Sequence, residues 1–283
     1  MKHQATRRAF LGSAAGAAGL SVLSAVPAAA VIEEEPGGIK LGVASYSLRS
    51  FDRAKAIEMI KALKTPFVSI KDVHLSQTIP SAEIEAGAKE FTAAGIRIMS
   101  GGNITLNETT AEAMRKHFEY AKHAGMRMIV CAPTPANVKI VEGLAKEYNI
   151  QCAIHNHGPE DKNFPTPQSV LDAVKNLDPR MGLCMDVGHS SRAGADVVKS
   201  IADAGSRLLD MHIKDLSDPM GKDSQCDVGD GKLPITGIFK QLKKMGYKGC
   251  VNLEYEINAK DPLPGMQRSF SYMRGVLAGL AAA

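Results

Sequence analysis

The sequence predicts an α/β fold in which eight parallel strands close into a (β/α)8 TIM barrel. From Ile39 onward, short apolar runs alternate eight times with longer amphipathic runs. Such alternation is typical of parallel strands joined by right-handed helical crossovers, and eight strands are the number that closes a barrel. An open doubly wound sheet is the alternative, but no glycine-rich phosphate loop follows the first strand to support it.

The predicted strands are short apolar runs bounded by polar or turn-forming residues. Met181–Asp186 has the clearest pattern, because its apolar run ends abruptly in an aspartate. The eight predicted strands are Ile39–Tyr46, Phe67–Ile70, Ile96–Ser100, Met126–Cys131, Cys152–His155, Met181–Asp186, Leu208–His212 and Val251–Glu254.

The runs between the strands have the apolar spacing of amphipathic helices. Several of them end in a glycine, which caps helices cheaply because it accepts the left-handed conformation. We interpret Gly101-Gly102-Asn103 and Gly229-Asp230-Gly231 as backbone turns without chemistry. The predicted helices are Ala54–Leu63, Ala82–Ala94, Thr110–Ala124, Ala136–Tyr148, Val170–Leu177, Ala195–Ala204, Ile235–Met245 and Gln267–Leu280.

Residues 1–30 are predicted to be a twin-arginine signal peptide. Arg7 and Arg8 precede an Ala/Gly/Leu/Val run, and Ala28-Ala29-Ala30 provides a cleavage site. The apolar run is short and rich in small residues, so a stable membrane anchor is the weaker interpretation. We therefore expect an exported, periplasmic protein with a lead-in at residues 31–38 and a single barrel domain at residues 39–283.

Charge and cysteine content exclude two classes of protein. The formal charge is +4, and most of it lies in the signal segment, so the remaining chain lacks the basic excess of a nucleic-acid-binding protein. The odd number of cysteines does not indicate a disulfide framework, and their spacing matches no zinc motif. The five cysteines are Cys131, Cys152, Cys184, Cys226 and Cys250.

The last four predicted strands each end in a side chain that can bind a metal: His155, Asp186, His212 and Glu254. Singly, such a histidine is equally well explained as a hydrogen-bonding residue and such an aspartate as a helix N-cap. Four consecutive strands with a ligand at the same relative position favour convergence at the carboxyl-terminal mouth of a barrel. Two imidazoles and two carboxylates suit Mn²⁺, Zn²⁺, Fe²⁺ or Co²⁺.

Four motifs resemble those of the xylose isomerase-like TIM barrels, the sugar phosphate isomerase/epimerase superfamily. They are Asp186-Val-Gly-His189, His212-Ile-Lys-Asp215, Val228-Gly-Asp-Gly231 with Pro234-Ile235, and Asn252-Leu-Glu254. The resemblance implies that Asp186, His212 and Glu254 bind a metal and that His189 contacts substrate. It also implies that Lys214, one pleat beyond His212, reaches the substrate.

One position departs from the ketose epimerases of that superfamily. Those enzymes place a glutamate on the fifth strand, where it is both a ligand and one of two opposed acid/base carboxylates. This chain has His155 there. An imidazole still binds a metal, but the symmetric pair of carboxylates is lost, which puts simple 3-epimerisation in doubt.

Further candidates for the pocket lie near the ends of the first and fifth strands. His157 shares a strand face with His155 and is a candidate catalytic residue beside His155 and Glu254, with a supporting hydrogen bond as the alternative role. Glu160 and Tyr46 are candidate substrate-binding residues, and packing is the alternative for Tyr46. Lys71, Asp72 and His74 are polar at a strand end, where a loop role is at least as well supported.

The chemistry expected of such a site is metal-assisted proton transfer through an enediolate of a ketose or keto-sugar. A divalent-metal-dependent sugar isomerase or epimerase is the first hypothesis. The alternatives are a metal-dependent lyase or hydrolase of 3-keto-glycosides and a non-catalytic sugar-binding barrel. An endonuclease of the same fold would need additional histidines and a basic surface. The expected partner is a small carbohydrate. The sequence leaves the substrate, the metal and the oligomeric state open, a homo-oligomer included.

Overall fold

The computed structural model describes Glu35 and residues 37–282. The signal peptide predicted at residues 1–30 lies outside this range, as does most of the predicted lead-in, so both remain predictions. Glu35 forms an antiparallel bridge with Ile39 and an ion pair with Arg274, with 2.7 Å between Oε1 and Nε. Within the described range, every helix is too short or too polar to cross a membrane.

Eight parallel strands close into a barrel, which confirms the fold predicted from the sequence. Each barrel strand pairs with the next barrel strand along the chain, so that β7 pairs with β10. The ring closes where β1 pairs with β10, and there Lys40 lies opposite Cys250. A short antiparallel pair, β8 with β9, projects from the ring. The strands are β1 Lys40–Ala44, β2 Phe67–Ile70, β3 Arg97–Leu106, β4 Met128–Pro133, β5 Gln151–His155, β6 Met181–Asp186, β7 Leu208–Ile213, β8 Asp215–Leu216, β9 Gln225–Cys226 and β10 Cys250–Leu253.

Helices surround the barrel, and side-chain caps define several of their starts. Asp52 accepts a hydrogen bond from the Lys55 amide at 2.8 Å, and Thr166 and Ser169 form a capping box. The helices are α1 Arg53–Ala62, α2 Ser81–Ala93, α3 Ala111–His123, α4 Val138–Tyr148, α5 Pro167–Val174, α6 Val187–Arg192, α7 Val197–Ala204, α8 Ile235–Lys244 and α9 Leu263–Ala282, with 3-10 turns at Ser45–Leu48 and Gly205–Arg207.

The interpretation of Gly101-Gly102-Asn103 as a turn is wrong, because these residues lie within β3. Gly102 has a φ of +139°, and a Cβ at this position would collide with the carbonyl oxygen of Val130 on the neighbouring strand. Only glycine accepts both conditions. A pair of glycines that resembles a turn in sequence is thus a place where two strands approach closely.

The main apolar core lies between the strands and the helices, and a smaller cluster fills the barrel interior. Above that cluster, the buried carboxylate of Asp210 accepts hydrogen bonds from Ser100 Oγ at 2.7 Å, Asn252 Nδ2 at 2.8 Å and the Met211 amide at 3.0 Å. Asp210 precedes His212 by two residues and therefore faces the same side of β7. This polar layer supports the floor of the candidate site.

Candidate functional site

The four predicted metal ligands meet at the carboxyl-terminal mouth of the barrel. One ligand atom from each of His155, Asp186, His212 and Glu254 lies within 4.8 Å of all the others. His155 Nε2 is 3.0 Å from His212 Nδ1, and His212 Nδ1 is 3.2 Å from Glu254 Oε1. The ends of β5, β6, β7 and β10 therefore aim their polar groups at one point.

Asp186 has two roles at the end of β6. It is the N-cap of α6, since Oδ1 accepts a hydrogen bond from the His189 amide at 2.7 Å. The other oxygen, Oδ2, is 3.8 Å from His155 Nε2 and 3.0 Å from Lys214 Nζ. The capping bond fixes the carboxylate so that its second oxygen is directed into the cluster.

The donor set fits a divalent transition metal. Two imidazole nitrogens face each other across 3.0 Å, and the carboxylates of Asp186 and Glu254 complete the group. Two buried carboxylates carry more negative charge than the single ammonium of Lys214 beside them balances, and a bound cation would compensate the rest. Nitrogen and oxygen donors in this ratio suit Zn²⁺, Mn²⁺, Fe²⁺ or Co²⁺.

Lys214 supplies a buried positive charge beside the cluster. Its Nζ lies 3.0 Å from Asp186 Oδ2, 2.9 Å from Glu254 Oε2 and 2.6 Å from Glu256 Oε2. Burial alone would lower the pKa of Lys214, but the carboxylates of Asp186, Glu254 and Glu256 together raise it well above its usual value. Lys214 is therefore held as an ammonium ion.

The protonation states of the cluster follow from its neighbours. Burial lowers the pKa of His155 well below its usual value, and the nearby His212 adds to this effect. Burial acts in the same direction on His212, but Glu254 outweighs it and raises the pKa of His212. Burial would raise the pKa of Glu254, yet His212 and Lys214 lower it strongly. His155 is thus a neutral donor, and Glu254 is an ionised one.

Two further histidines extend the cluster toward solvent. The ring of His157 is 4.3 Å from that of His155 and 5.7 Å from that of His189, measured between centroids. His157 Nε2 is 3.0 Å from Asn103 Nδ2, and its Nδ1 is 3.5 Å from Asp161 Oδ2. Burial, followed by the neighbouring His189, lowers the pKa of His157. A neutral imidazole therefore stands at the edge of the site.

Glu160 lies at the rim and is held by Arg192. The two side chains form an ion pair, and Arg192 Nη1 is also 3.3 Å from His189 Nδ1. An arginine nitrogen only donates, so it fixes Nδ1 of His189 as the acceptor and leaves Nε2 to carry the proton. Glu160 thus orients His189 through Arg192. The predicted role of Glu160 in direct substrate binding remains a prediction.

Tyr46 lies just beyond β1, in the 3-10 turn that follows it. Its ring packs against two cations, with the Arg49 guanidinium 4.6 Å and Lys71 Nζ 5.3 Å from the centroid. Lys71 Nζ is in turn 3.5 Å from the carbonyl oxygen of Asn103. A series of contacts therefore links Tyr46, through Lys71 and Asn103, to His157.

The residues of the motif His212-Ile-Lys-Asp215 contact two parts of the protein, the candidate metal site and a nearby loop. His212 and Lys214 face the cluster, whereas Asp215 accepts hydrogen bonds from the backbone amides of Gly229 at 3.0 Å, Gly231 at 3.2 Å and Leu233 at 3.0 Å. The predicted turn at Gly229–Gly231 is confirmed, and the amides of its two glycines donate hydrogen bonds to the Asp215 carboxylate. The loop that follows β7 is thereby tied to the strand.

Several residues of the site were not assigned from the sequence. Glu256 alternates with Glu254, and this spacing alone could have indicated it. Arg192 lies on α6, a short helix without a clear apolar period, and carried no signal. Asn103 was hidden by the incorrect turn. The thiol of Cys184 also lies within ligand distance of His155 and His212, although its position inside a strand predicted only packing.

A family model described as the xylose isomerase-like TIM barrel matches residues 52–276 of the chain. Among characterised relatives, the chain is similar to the rhizopine catabolism protein MocC of Rhizobium meliloti, with 27% identity over 134 residues. That alignment covers 41% of this chain and 41% of MocC, so the chain matches less than half the length of this relative.

Solved structures share the fold at low sequence identity. An IolI protein with a bound zinc atom has a TM-score of 0.71 and 17% identity and covers 85% of this chain and 99% of its own. The probable 3-DHS dehydratase AsbF from Bacillus anthracis has a TM-score of 0.66 and 13% identity, with coverages of 82% and 99%. D-psicose 3-epimerase, solved in the presence of D-fructose, has a TM-score of 0.65 and 17% identity, with coverages of 85% and 98%.

At these identities the structural likeness concerns the fold alone. The family model, in contrast, spans most of the chain and includes all four strand ends that form the site. The closed barrel and the match agree with the resemblance carried by the motifs. The chain belongs to the xylose isomerase-like TIM barrel family.

Proposed function

We propose that this protein is a divalent-metal-dependent enzyme of the sugar isomerase or epimerase type, which moves a proton on a carbon next to the carbonyl of a ketose or keto-sugar. The observation that carries the proposal is the convergence of two imidazoles and two carboxylates within 4.8 Å at the barrel mouth. The family supports a small carbohydrate as substrate, and the D-psicose 3-epimerase structure provides an example of such chemistry on the same fold.

His155, Asp186, His212 and Glu254 would hold the metal. When bound there, a divalent cation supplies Lewis acidity that polarises a carbonyl and stabilises the negative charge of an enediolate. The zinc atom in the IolI structure is a precedent for a metal on this fold. The low pKa of Glu254 keeps the carboxylate ionised and makes it a weak base, so we assign it to ligation first.

We assign proton transfer to His157. Its lowered pKa keeps the imidazole neutral near neutral pH, which a general base requires. In this form Asn103 Nδ2 donates to Nε2 at 3.0 Å, and Asn103 Oδ1 is buried without a partner among the described residues. Because that hydrogen bond occupies the lone pair of Nε2, the Asn103 amide would rotate away before Nε2 takes a proton, and Oδ1 would then accept a hydrogen bond from the protonated ring. Asn103 therefore supports both protonation states of His157.

Lys214 and His189 are assigned to the substrate oxygens. The ammonium of Lys214, held between Asp186 and Glu254, would stabilise negative charge that develops on a carbonyl oxygen bound beside it. His189 presents an Nε2–H, because Arg192 occupies Nδ1. Tyr46 would form the opposite wall of the pocket.

Elimination is the second candidate reaction, in a lyase or hydrolase of 3-keto-glycosides. The observation that favours it is the asymmetry of the site: a carboxylate stands on β10, whereas β5 contributes His155 and His157. An imidazole that has accepted the carbon-bound proton can return it to a departing oxygen, which an opposed carboxylate does less readily. The structure of the probable dehydratase AsbF shares this fold.

The test is to incubate the protein, loaded in turn with Mn²⁺, Zn²⁺, Fe²⁺ or Co²⁺, with free ketoses and with 3-keto-glycosides in heavy water. We expect deuterium to enter next to the carbonyl, with an isomer or epimer as product. Cleavage of the glycosidic bond would favour the elimination reaction. Absence of exchange and of product for every metal, with a sugar still bound, would instead identify a non-catalytic sugar-binding barrel.

We also propose that the protein is exported through its twin-arginine signal. Free sugar phosphates are scarce outside the cytoplasm, which is consistent with unphosphorylated keto-sugars as substrates. Intact-mass measurement of the protein from a periplasmic fraction is expected to give a chain that begins at Val31. Recovery of the full-length chain from the cytoplasmic fraction alone would contradict this proposal.

A further inference from the structure

A cavity of about 930 Å³ lies at the amino-terminal mouth of the barrel, at the end opposite to the candidate site. The first residues of β3, β4, β5, β7 and β10 and the turn that follows α8 form its wall. The apolar cluster inside the barrel and the polar layer around Asp210 separate this cavity from the four metal-ligating side chains. A molecule bound here would not reach the catalytic groups.

The cavity is lined by cations without compensating acids. Arg97, Arg127 and Lys248 contribute to the lining, and no aspartate or glutamate does so among the described residues. The side chains of Arg127 and Lys248 form no hydrogen bond or ion pair within the described part of the chain, and Arg97 packs over the Phe67 ring at 5.8 Å. Three exposed positive charges therefore share one concave surface.

Other arginines at the same end have structural partners. Arg207 donates to the carbonyl oxygens of Leu177 at 2.6 Å and Met181 at 2.7 Å, and Arg180 pairs with Asp178 at 2.9 Å. Arg207 and Arg180 are therefore already bound to carbonyl oxygens and to a carboxylate of the protein. The three cations of the cavity have no such contacts, so an external anion can reach them.

The base of the cavity is apolar. Met99 and Leu209 are half-buried and Met128 is almost fully buried, and all three line the cavity. Ligand sites for small molecules usually combine an apolar surface with a few convergent polar groups. A bare inorganic ion would use the cations alone, whereas an anion with a short apolar portion would use both surfaces.

We infer that this basal cavity binds a small organic anion, with a phosphate or carboxylate group held by Arg97, Arg127 and Lys248 and an apolar portion packed on Met99, Met128 and Leu209. Arginine binds both kinds of oxyanion through charge-assisted hydrogen bonds. The positive charges of these three side chains raise the local concentration of such ligands. This site is independent of the reaction proposed above.

The test is calorimetric titration of the full-length protein with hexyl phosphate, hexanoate, inorganic phosphate and hexanol. We expect hexyl phosphate or hexanoate to bind more tightly than inorganic phosphate, and hexanol not to bind. The double variant Arg127→Gln/Lys248→Gln is expected to weaken binding by at least about tenfold. Arg180→Gln, which removes a paired cation at the same end, is the control and should leave the affinity unchanged.

A spectroscopic measurement locates the ligand. In protein labelled at the methionine methyl groups, the signals of Met99 and Met128 should shift on addition of hexyl phosphate, while that of the exposed Met220 should not. Equal affinity in the double variant and the parent would overturn the proposal. Unchanged thermal unfolding of each variant ensures that losses of binding are local.

Discussion

The two mouths of the barrel differ in the charged groups they hold although the same strands build both. The carboxyl-terminal mouth holds Asp186 and Glu254, and the amino-terminal mouth holds Arg97, Arg127 and Lys248. Each helix runs back from the first mouth to the second, so positive helix ends face the acids and negative helix ends face the bases.

Burial distinguishes the two mouths more than charge does. At the carboxyl-terminal mouth, His155, His212 and Lys214 are almost completely buried and constrain one another's protonation. At the amino-terminal mouth the cations are exposed and independent. Groups of the first kind have shifted pKa values and can perform chemistry, whereas groups of the second kind can only attract.

The largest effect is expected from loss of a metal ligand. His212→Ala and Glu254→Gln should each weaken binding of Zn²⁺ or Mn²⁺ by more than about 100-fold, since even residues that only support ligands contribute about 10- to 100-fold. Competition with a chromophoric chelator measures this affinity. His123→Ala is the control, because His123 is a surface residue paired with Glu85 at 2.9 Å. Retained affinity in both ligand variants would refute the assignment.

The close approach of β3 to β4 at Gly102 is tested by the substitution Gly102→Ala. Gly102 has a φ of +139°, and a methyl group there would meet the Val130 carbonyl, so we expect the free energy of unfolding to fall by about 3 kcal/mol. Gly275→Ala is the matched control in α9, where a Cβ meets nothing within 4 Å and helix propensity predicts a gain of up to about 1 kcal/mol. Urea unfolding measures both, and similar values would contradict the strand geometry.

The polar layer beneath the site is tested by Asp210→Asn. Burial raises the pKa of Asp210 to about 6 from its usual 3.8, so the folded protein binds this proton more tightly than the unfolded chain. Stability is therefore lost as the pH rises through the folded pKa. An asparagine does not ionise, so the Asp210→Asn variant does not lose stability in this way. The free energy of unfolding of the variant, relative to that of the parent, should therefore rise by about 2 kcal/mol between about pH 4 and about pH 8. A constant difference would contradict a buried carboxyl group.

The smallest effect concerns the ammonium at the metal site. Lys214 Nζ lies 3.0 Å from Asp186 and 2.9 Å from Glu254 and competes with a cation for the same oxygens. Lys214→Met should therefore tighten metal binding by about tenfold while it reduces turnover. Calorimetric titration with Mn²⁺ or Zn²⁺ measures the first quantity. Weaker binding in the variant would mean that Lys214 orients the carboxylates and does not compete with the metal.

The strand ends could be predicted from the sequence because a buried barrel strand is a short apolar run and its last polar residue is conspicuous. This reasoning gave His155, Asp186, His212 and Glu254, which the structure brings together. The period of two residues along a strand also placed His157 on the same face as His155, and the family resemblance implied the position of Lys214 near the site. The apolar pattern of each strand is local in the sequence, and the alternation of eight strands with helices predicted the closed barrel that brings the strand ends together.

Contacts between distant segments could not be predicted in this way. The link from Glu160 through Arg192 to His189 depends on α6, a helix too short for a periodic signal. Asn103 was misassigned because Gly101-Gly102 has the composition of a turn. The cations of the basal cavity stand singly at the starts of separate strands, and only the closed barrel brings Arg97, Arg127 and Lys248 to one surface.

Anomalous X-ray diffraction from crystals grown with Mn²⁺ or Zn²⁺ tests the central claim most directly. We expect one strong peak enclosed by His155, Asp186, His212 and Glu254, and its loss in crystals of His212→Ala. A peak at any other position would contradict the claim that these four strand ends hold a single divalent cation. The absence of a peak would also contradict it, once binding of the same metal by the protein has been measured in solution.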